Sequence, residues 1–432
     1  MPQLWMLQEQ LLINFKKMGK TIIEKIIQLH TNEEVKPGKI VWMDLDIRSA
    51  RDFGGANVVK NYEREYGNQP VADPRKTFFT FDLVAPAKTL KYADNQQICR
   101  EFARKHGIKI FDVDMGIGSH VLIEEGLALP NTTVVGTDSH LNILGAVGCF
   151  GQGMGDVDIT FAFKTGKTWF EVPETIKVII KGRFTYPATT KDLTLYILKN
   201  LGTEKALGKA IEFYGEVIEN LSIAERITLC SMVTEMGGII GFTSFNQKRL
   251  SELKDFIKKD IEPLKADQDA NYSEIIEINI DGLTPQVAAP FSPSNVKDIS
   301  DLKNIKIDSG FIGSCTNGRT EDIELASKIL KGKKIKEGVR LVIVPATKRV
   351  YKELLEKGII EILFKAGAMI LNPSCGGCAE GHAGLTGKGE VQISTGNRNF
   401  AGKQGKGMTY LASPAVVASS CIAGEIISPD KI

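Results

Sequence analysis

Long apolar runs are absent from this 432-residue chain. None approaches the roughly 18 consecutive apolar residues that mark a membrane span. An excess of one charge is absent as well. Lys+Arg number 54 against 52 Asp+Glu, a formal net charge of +2, so no global basic surface awaits a nucleic acid and no local patch replaces it. An acidic small molecule needs only a few local cations. Cysteine is scarce: Cys99, Cys149, Cys230, Cys315, Cys375, Cys378 and Cys421 are seven in all, an odd number unlike a disulfide framework, which points to a reducing cytoplasm. The extension 1–17 holds a short apolar stretch around 11–15 but no small-residue cleavage site, which argues against a secretion signal and leaves Met18 as an alternative start. What remains is ordinary globular composition, 43% apolar, 7% aromatic and 25% charged, on a length that suits two or three domains.

Periodicity predicts an opening helix over 21–30, where Ile22, Ile23, Ile26, Ile27 and Leu29 fall mostly on one face. Lys36-Pro37-Gly38-Lys39 then turns the chain into a strand over 40–45. Strands over 78–81, 108–113 and 133–136 alternate with Gly-rich turns and a helix over 96–105, the pattern of a layered α/β fold. After Val172-Pro173-Glu174 a strand over 176–180 leads into segments rich in Lys and Glu that read as helical, ending in a polar stretch near 267–274. Strands over 307–312 and 341–344, separated by a helix over 321–330, open the last part. The expectation is an N-terminal extension 1–17 and three α/β domains over 18–170, 171–300 and 301–432, with no internal repeat.

Chemistry concentrates where strands run into loops of small residues, the usual place for a site in an α/β protein. Cys315 lies in Gly313-Ser314-Cys315-Thr316-Asn317-Gly318-Arg319, between a strand and a helix start whose partial positive charge favours a thiolate. Cys375-Gly376-Gly377-Cys378 places two thiols three positions apart, with glycines that let the backbone wrap closely around a metal centre. A single CxxC is equally a redox pair or half a zinc site. A second CxxC is missing, which weakens structural zinc. With Cys315 added, three thiolates on a cubane would leave one iron open to substrate, as catalytic metals require. The other four cysteines have apolar sequence neighbours and read as packing residues.

Gly313 to Arg319, Cys375 to Cys378, the loop Ser394-Thr395-Gly396-Asn397-Arg398-Asn399-Phe400 with Gly402-Lys403-Gln404-Gly405, and Ala412-Ser413-Pro414-Ala415 together resemble the aconitase superfamily. Gly136-Thr137-Asp138-Ser139-His140 followed by Gly145-Ala146 belongs to the same pattern. The likeness is strongest to the large subunits of 3-isopropylmalate dehydratase and homoaconitase. It implies a three-domain α/β large subunit built around a [4Fe-4S] cluster on Cys315, Cys375 and Cys378, and reversible dehydration of a hydroxy acid. It also implies a separate small subunit carrying a swivelling domain and the catalytic serine, since this chain is too short to contain them. Asp138, Ser139 and His140 would form the acid-base and substrate network, Glu235 would contact bound water, Asn397 would border the cluster and Arg398 would clamp a carboxylate. Taken alone, Asp138-Ser139-His140 reads equally as a turn and helix cap, and Glu235 as an exposed helical carboxylate.

Several positions depart from the family pattern. Asp82-Leu83-Val84-Ala85-Pro86 has leucine where the family usually has histidine, and Gly116-Ile117-Gly118-Ser119-His120 has serine at an expected histidine, with His120 one residue later. Leu141, Ser231 and Lys403 replace a threonine, an asparagine and an arginine; lysine keeps the charge but loses the planar fork. Asp82, His120 and His140 are the expected proton handlers, and Lys403 joins Arg398 as a substrate cation. These changes suggest a divergent member, and homoaconitate, dimethylmalate or maleate-type acids stand beside isopropylmalate as substrates. An iron-sensing RNA-binding protein is the alternative of another class, disfavoured by the near-neutral charge and by the lack of aromatic stacking motifs.

Overall fold

The computed structural model describes residues 19–378 and 383–432. The extension 1–17 and the alternative start at Met18 lie outside the described residues. The expected opening helix is Ile22–Leu29, started by Thr21 and Glu24 in a reciprocal cap. It buries its isoleucine face against Val41, Met43, Phe150 and Phe242.

Seven strands follow in the first part of the chain: β1 (Ile40–Asp44), β2 (Ile47–Arg51), β3 (Thr77–Thr80), β4 (Lys109–Phe111), β5 (Thr133–Gly136), β6 (Phe150–Gly153) and β7 (Lys167–Glu171). β2 to β6 form a parallel five-stranded sheet in the order β4-β3-β2-β5-β6, and β1 pairs with β7 antiparallel. Successive side chains on a strand point to opposite faces, and both faces of this sheet are covered. Phe78 packs with Ile47, Phe111 and Val134 on one side. Phe79 packs with Ala50, Phe102 and Phe163 on the other. Burial on both faces is why these strands read as short apolar runs with little alternation.

A second parallel sheet takes β8 (Thr175–Lys181), β9 (Ala210–Tyr214), β10 (Ile240–Thr243) and β11 (Glu274–Asn279) in the order β10-β9-β8-β11. Where only helical segments are expected, two further strands, β9 and β10, therefore lie among the helices. Glu212 disguises β9 in the sequence, because a carboxylate in mid-strand looks solvent-exposed. Here it is buried and accepts hydrogen bonds from the Ile22 amide at 2.6 Å, Tyr214 Oη at 2.6 Å and Tyr272 Oη at 2.8 Å, which offset the cost of burying its charge.

The third sheet has β12 (Gln286–Ala288), β13 (Val296–Asp298), β14 (Ser309–Ile312), β15 (Arg340–Ile343), β16 (Met369–Ile370), β17 (Val391–Ser394) and β18 (Met408–Leu411). Its order is β13-β12-β18-β17-β14-β15-β16, parallel from β18 to β16 with an antiparallel edge. This sheet already begins at Gln286, before the segment 301–432. Cys99, Cys149, Cys230 and Cys421 all lie in apolar cores, as packing residues should.

The opening helix is fastened to the first sheet by His30, whose Nδ1 meets Ile26 O and whose Nε2 meets Asp46 Oδ2, both at 2.7 Å. Two acceptors call for a proton on each ring nitrogen, the imidazolium form. Burial pulls the His30 pKa down, but the Asp46 carboxylate and the Ile26 carbonyl outweigh it and leave the pKa above 6.5. The stabilisation is therefore complete below the unfolded value and is lost as pH rises through the higher folded one. Asp46→Asn keeps an acceptor and removes the charge. Urea midpoints should show it costing on the order of 1 kcal/mol near about pH 6 and clearly less near about pH 9; an equal cost at both would show that charge plays no part in the contact.

Candidate active site

Three adjacent parallel strands of the first sheet end at one place, the position where α/β sheets bind ligands. Arg51 is the last residue of β2, Asp82 lies two residues beyond β3, and Asp138 lies two residues beyond β5. The Arg51 guanidinium reaches both carboxylates: Nε and Nη2 meet Asp82 Oδ1 at 2.8 and 2.7 Å, and Nη1 meets Asp138 Oδ1 at 3.1 Å. The two acids differ in environment. Burial pushes Asp82 up to about 7, with Arg51 pulling the other way and Asp52 and Asp138 adding to the rise. Asp138 is buried too, yet Arg51 and His140 overcome that cost and hold it below the usual carboxylate range. A pair whose surroundings drive the two pKa values apart leaves one group able to carry a proton and the other charged.

Asp138 Oδ1 also accepts the His140 amide at 3.0 Å, which fixes the turn Asp138-Ser139-His140. His140 Nε2 then lies 3.1 Å from Glu235 Oε1, and the same oxygen accepts Arg398 Nε at 2.7 Å. Burial raises the Glu235 pKa, but His140 and Arg398 outweigh it and keep it below the ordinary value. Glu235 Oε2 is buried without a protein partner among the described residues. A buried acceptor left open beside a histidine and an arginine is placed to receive a ligand proton. Ser139 is exposed, and its Oγ lies 3.4 Å from His140 Nδ1.

The three cysteines come to the same place from the third sheet. Cys315 sits on the short helix Ser314–Asn317 directly after β14, and its thiol faces Asn397 Oδ1 at 3.5 Å. Cys375 and Cys378 bracket a tight turn in which Gly376 has φ +62°, and a Cβ there would lie 2.7 Å from the Phe311 ring. Only glycine fits that turn. Cys375 Sγ accepts from Arg51 Nη2 at 2.8 Å. Ile117, Ala346 and Leu83 complete an apolar wall around the thiols. Burial pushes all three thiols up; Cys378 is eased by Lys403, Arg398 and Arg51, and Cys375 chiefly by Arg51.

These residues fit an iron-sulfur group. The donors are all sulfur, the preference of such clusters. The cations beside them compensate thiolate charge. Among the described residues no set of three or more His, Cys, Asp or Glu is arranged to hold a single metal ion.

His120 is turned toward the cysteine loop. Its Nε2 donates to the Cys315 carbonyl at 2.9 Å, while burial first and Arg319 second pull its pKa down to about 3, so the ring is neutral. Its Nδ1 and Ser119 Oγ are both buried without protein partners among the described residues. Asn397 Nδ2 donates to the Ser231 carbonyl at 3.3 Å, so position 231 contributes its backbone, and its hydroxyl turns back into its own helix. Lys403 lies half-buried in the loop after Arg398.

Two residues escaped the sequence reading. Arg51 ends a strand whose every residue is buried, and an arginine there is the one signal that was available. Lys191 stands in the first turn of the helix Thr190–Leu201, completely buried. It donates to Thr395 O at 3.0 Å, Gly396 O at 3.1 Å and Thr316 Oγ1 at 3.4 Å, joining the Cys315 loop to the Asn397-Arg398 loop.

Fold and site together define a layered α/β protein with a thiol-lined acid-base centre. A model of the aconitase family (aconitate hydratase) matches residues 24–424, and the chain belongs to that family. Over 96% of its length and 100% of theirs it is 42% identical to the 3-isopropylmalate dehydratase large subunit of Caldanaerobacter subterraneus subsp. tengcongensis. It is 43% identical to that of Nautilia profundicola, over 95% of this chain and 99% of the relative, and 41% identical to that of Aquifex aeolicus, over 96% and 98%. Among solved structures, the holo-form of Thermococcus kodakaraensis aconitase X aligns over 88% of this chain and 89% of its own with a TM-score of 0.49 and 14% identity. No helix among the described residues is long and apolar enough to cross a membrane.

Lys191→Met keeps most of the side-chain volume and strands the Thr395 and Gly396 carbonyls. It should cost roughly 3 kcal/mol in denaturant unfolding. A cost under about 1 kcal/mol would mean that the two loops hold together without the ammonium.

Proposed function

We propose that this chain is the large subunit of a two-subunit iron-sulfur hydro-lyase that reversibly dehydrates a small hydroxy di- or tricarboxylic acid, of the 3-isopropylmalate dehydratase type. The observation that carries this reading is the meeting of Cys315, Cys375 and Cys378 with the Arg51, Asp82 and Asp138 group and the His140, Glu235 and Arg398 group. Near full-length similarity to large subunits of that name supports it. A [4Fe-4S] cluster on the three cysteines would supply, when bound, a Lewis-acidic iron for the substrate's hydroxyl and carboxylate.

The protein's own groups do the rest. Arg398, steadied by Glu235 through Nε, presents its remaining N–H groups to a substrate carboxylate, and Lys403 adds a second positive charge. In the hydration direction Glu235 Oε2 accepts a proton from the incoming water, and in the dehydration direction it returns one to the leaving hydroxyl, with His140 on Oε1 as the proton's path toward the exposed Ser139 side. Asp82, with a pKa pushed up to about 7, is poised near neutrality to take up or release a proton; Asp138 stays ionised and keeps Arg51 and the His140 turn in place. His120 positions the Cys315 loop through its carbonyl. Leu83 has no exchangeable proton and contributes only to the apolar wall.

The small subunit supplies the swivelling domain and the catalytic serine that removes the carbon-bound proton. Ser139, Arg398, Lys403 and the exposed ring of Phe400 are the groups of this face open to it. The cytoplasm, where thiols stay reduced, is the compartment in which such a centre would work.

The test is anaerobic reconstitution with iron and sulfide in the presence of the small subunit, then ultraviolet detection of double-bond formation from a panel of 2- and 3-hydroxy diacids. One acid of the panel should turn over, and Cys315→Ser, Cys375→Ser and Cys378→Ser should each abolish both turnover and full iron loading. Arg398→Lys should lose about tenfold or more in kcat/KM, mainly through KM, since lysine cannot make the planar two-point contact. A loaded cluster without turnover of any acid would remove the hydro-lyase reading.

A further inference from the structure

Cys375 is held differently from the other two thiols. Its amide donates to the Asp82 carbonyl at 2.9 Å and its sulfur accepts Arg51 Nη2 at 2.8 Å, so residues from the ends of β2 and β3 grip it at both ends. The Cys315 thiol, in contrast, faces a neutral amide oxygen at 3.5 Å. Lys403 and Arg398 act on Cys378 through charge. The Arg51 side chain is only 10% exposed, and its bonds leave in three directions: to Asp82, to Asp138 and to the sulfur. A guanidinium presents its five N–H groups in a rigid plane and stays charged at every working pH.

We propose that Arg51 is a positioning residue for the iron-sulfur centre: it donates a charge-assisted hydrogen bond to the Cys375 sulfur and locks that ligand to the two carboxylates of the acid-base group. This rests on the reading that the three cysteines hold a cluster. Hydrogen bonds to ligand sulfur withdraw electron density from a cluster and raise its reduction potential, and groups that orient a ligand slow its loss. Arg51 also spans the boundary between two sheets. It starts from the first sheet and ends on a loop of the third, so the cluster ligand and the proton-handling carboxylates keep one fixed relation.

The experiment uses the anaerobically reconstituted chain with its small subunit, as wild type, Arg51→Gln and Arg51→Lys. Two quantities are read: the cluster's midpoint potential from a redox titration followed by electron paramagnetic resonance, and the rate of iron loss to a chelator. Arg51→Gln should shift the potential to more negative values and speed iron loss several-fold. Arg51→Lys should fall between, because an ammonium reaches the sulfur or the carboxylates but not all three in one plane. Wild-type potential and retention in Arg51→Gln would overturn the proposal. Should that variant fail to fold by circular dichroism, an unchanged potential in Arg51→Lys would overturn it equally. A merely structural arginine would lower the unfolding midpoint and leave the potential where it was. Wild type that takes up no iron and sulfide would defeat the cluster reading itself, and the proposal with it; a loaded wild type beside an unaffected variant defeats only the role of Arg51.

Discussion

Burying charges of both signs at one point is the constraint on which the centre depends. Two carboxylates and a sulfur converge on the Arg51 guanidinium, and a third carboxylate, Glu235, is shared by His140 and Arg398. Each ion alone would pay several kcal/mol in lost hydration, and removing one partner from such a pair typically costs about 3 to 5 kcal/mol. Mutual compensation makes the arrangement tolerable, and it also makes it specific. A carboxylate with two oriented donors has one geometry available, so the oxygen left over, Glu235 Oε2, is presented in a fixed place.

The same economy explains how three sheets can share one site. Strand ends of the first sheet supply Arg51, Asp82 and Asp138, whereas loops of the third supply the cysteines, Asn397 and Arg398. Polar side chains cross the seams between them. His120 donates to the Cys315 carbonyl, Thr228 Oγ1 to the Thr316 carbonyl at 2.9 Å, and Lys191 to the carbonyls of Thr395 and Gly396. Loops carry backbone groups that have no ladder to join, and when such loops are buried these groups need side-chain partners. Loops drawn from different sheets are thereby tied to one another, as the proposed chemistry would require of groups that act together.

Much of this was legible in the sequence because local physics dictated it. The apolar face of 22–29, the short apolar runs of β3, β5, β8 and β14, and the glycines around Cys315 and Cys375 each follow from burial or turn geometry that neighbouring residues reveal. What was hidden depends on contacts distant along the chain. Glu212 made β9 look solvent-facing, since its partners Ile22 and Tyr272 lie far from it in sequence. Nothing local in the sequence singles out Arg51 or Lys191, and their burial follows only once carboxylates and carbonyls from other segments surround them. His120 was expected as a proton handler, and its bond to the Cys315 carbonyl, across 195 positions, is beyond what neighbouring residues reveal.

The departures from the family pattern acquire a physical meaning in this setting. Leu83 and Ser119 stand where the resemblance leads one to expect imidazoles, and the leucine packs in the thiol wall as an apolar side chain with no proton to exchange. The cation bonded to Asp82, next to Leu83 in the chain, is Arg51, which cannot release a proton near neutrality. Fixed positive charge and titratable positive charge do different work: the first holds anions in place at any pH, the second moves protons. With the first side of the chamber given over to the fixed kind, proton exchange in the proposed reaction falls to Asp82, poised near neutrality by burial against the pull of Arg51, and to Glu235 beside His140. In the proposed reaction the substrate's leaving oxygen would be served from the Glu235 side or from Asp82. On that reading the orientation of the acid would be constrained more tightly than in a site with an imidazole on each wall.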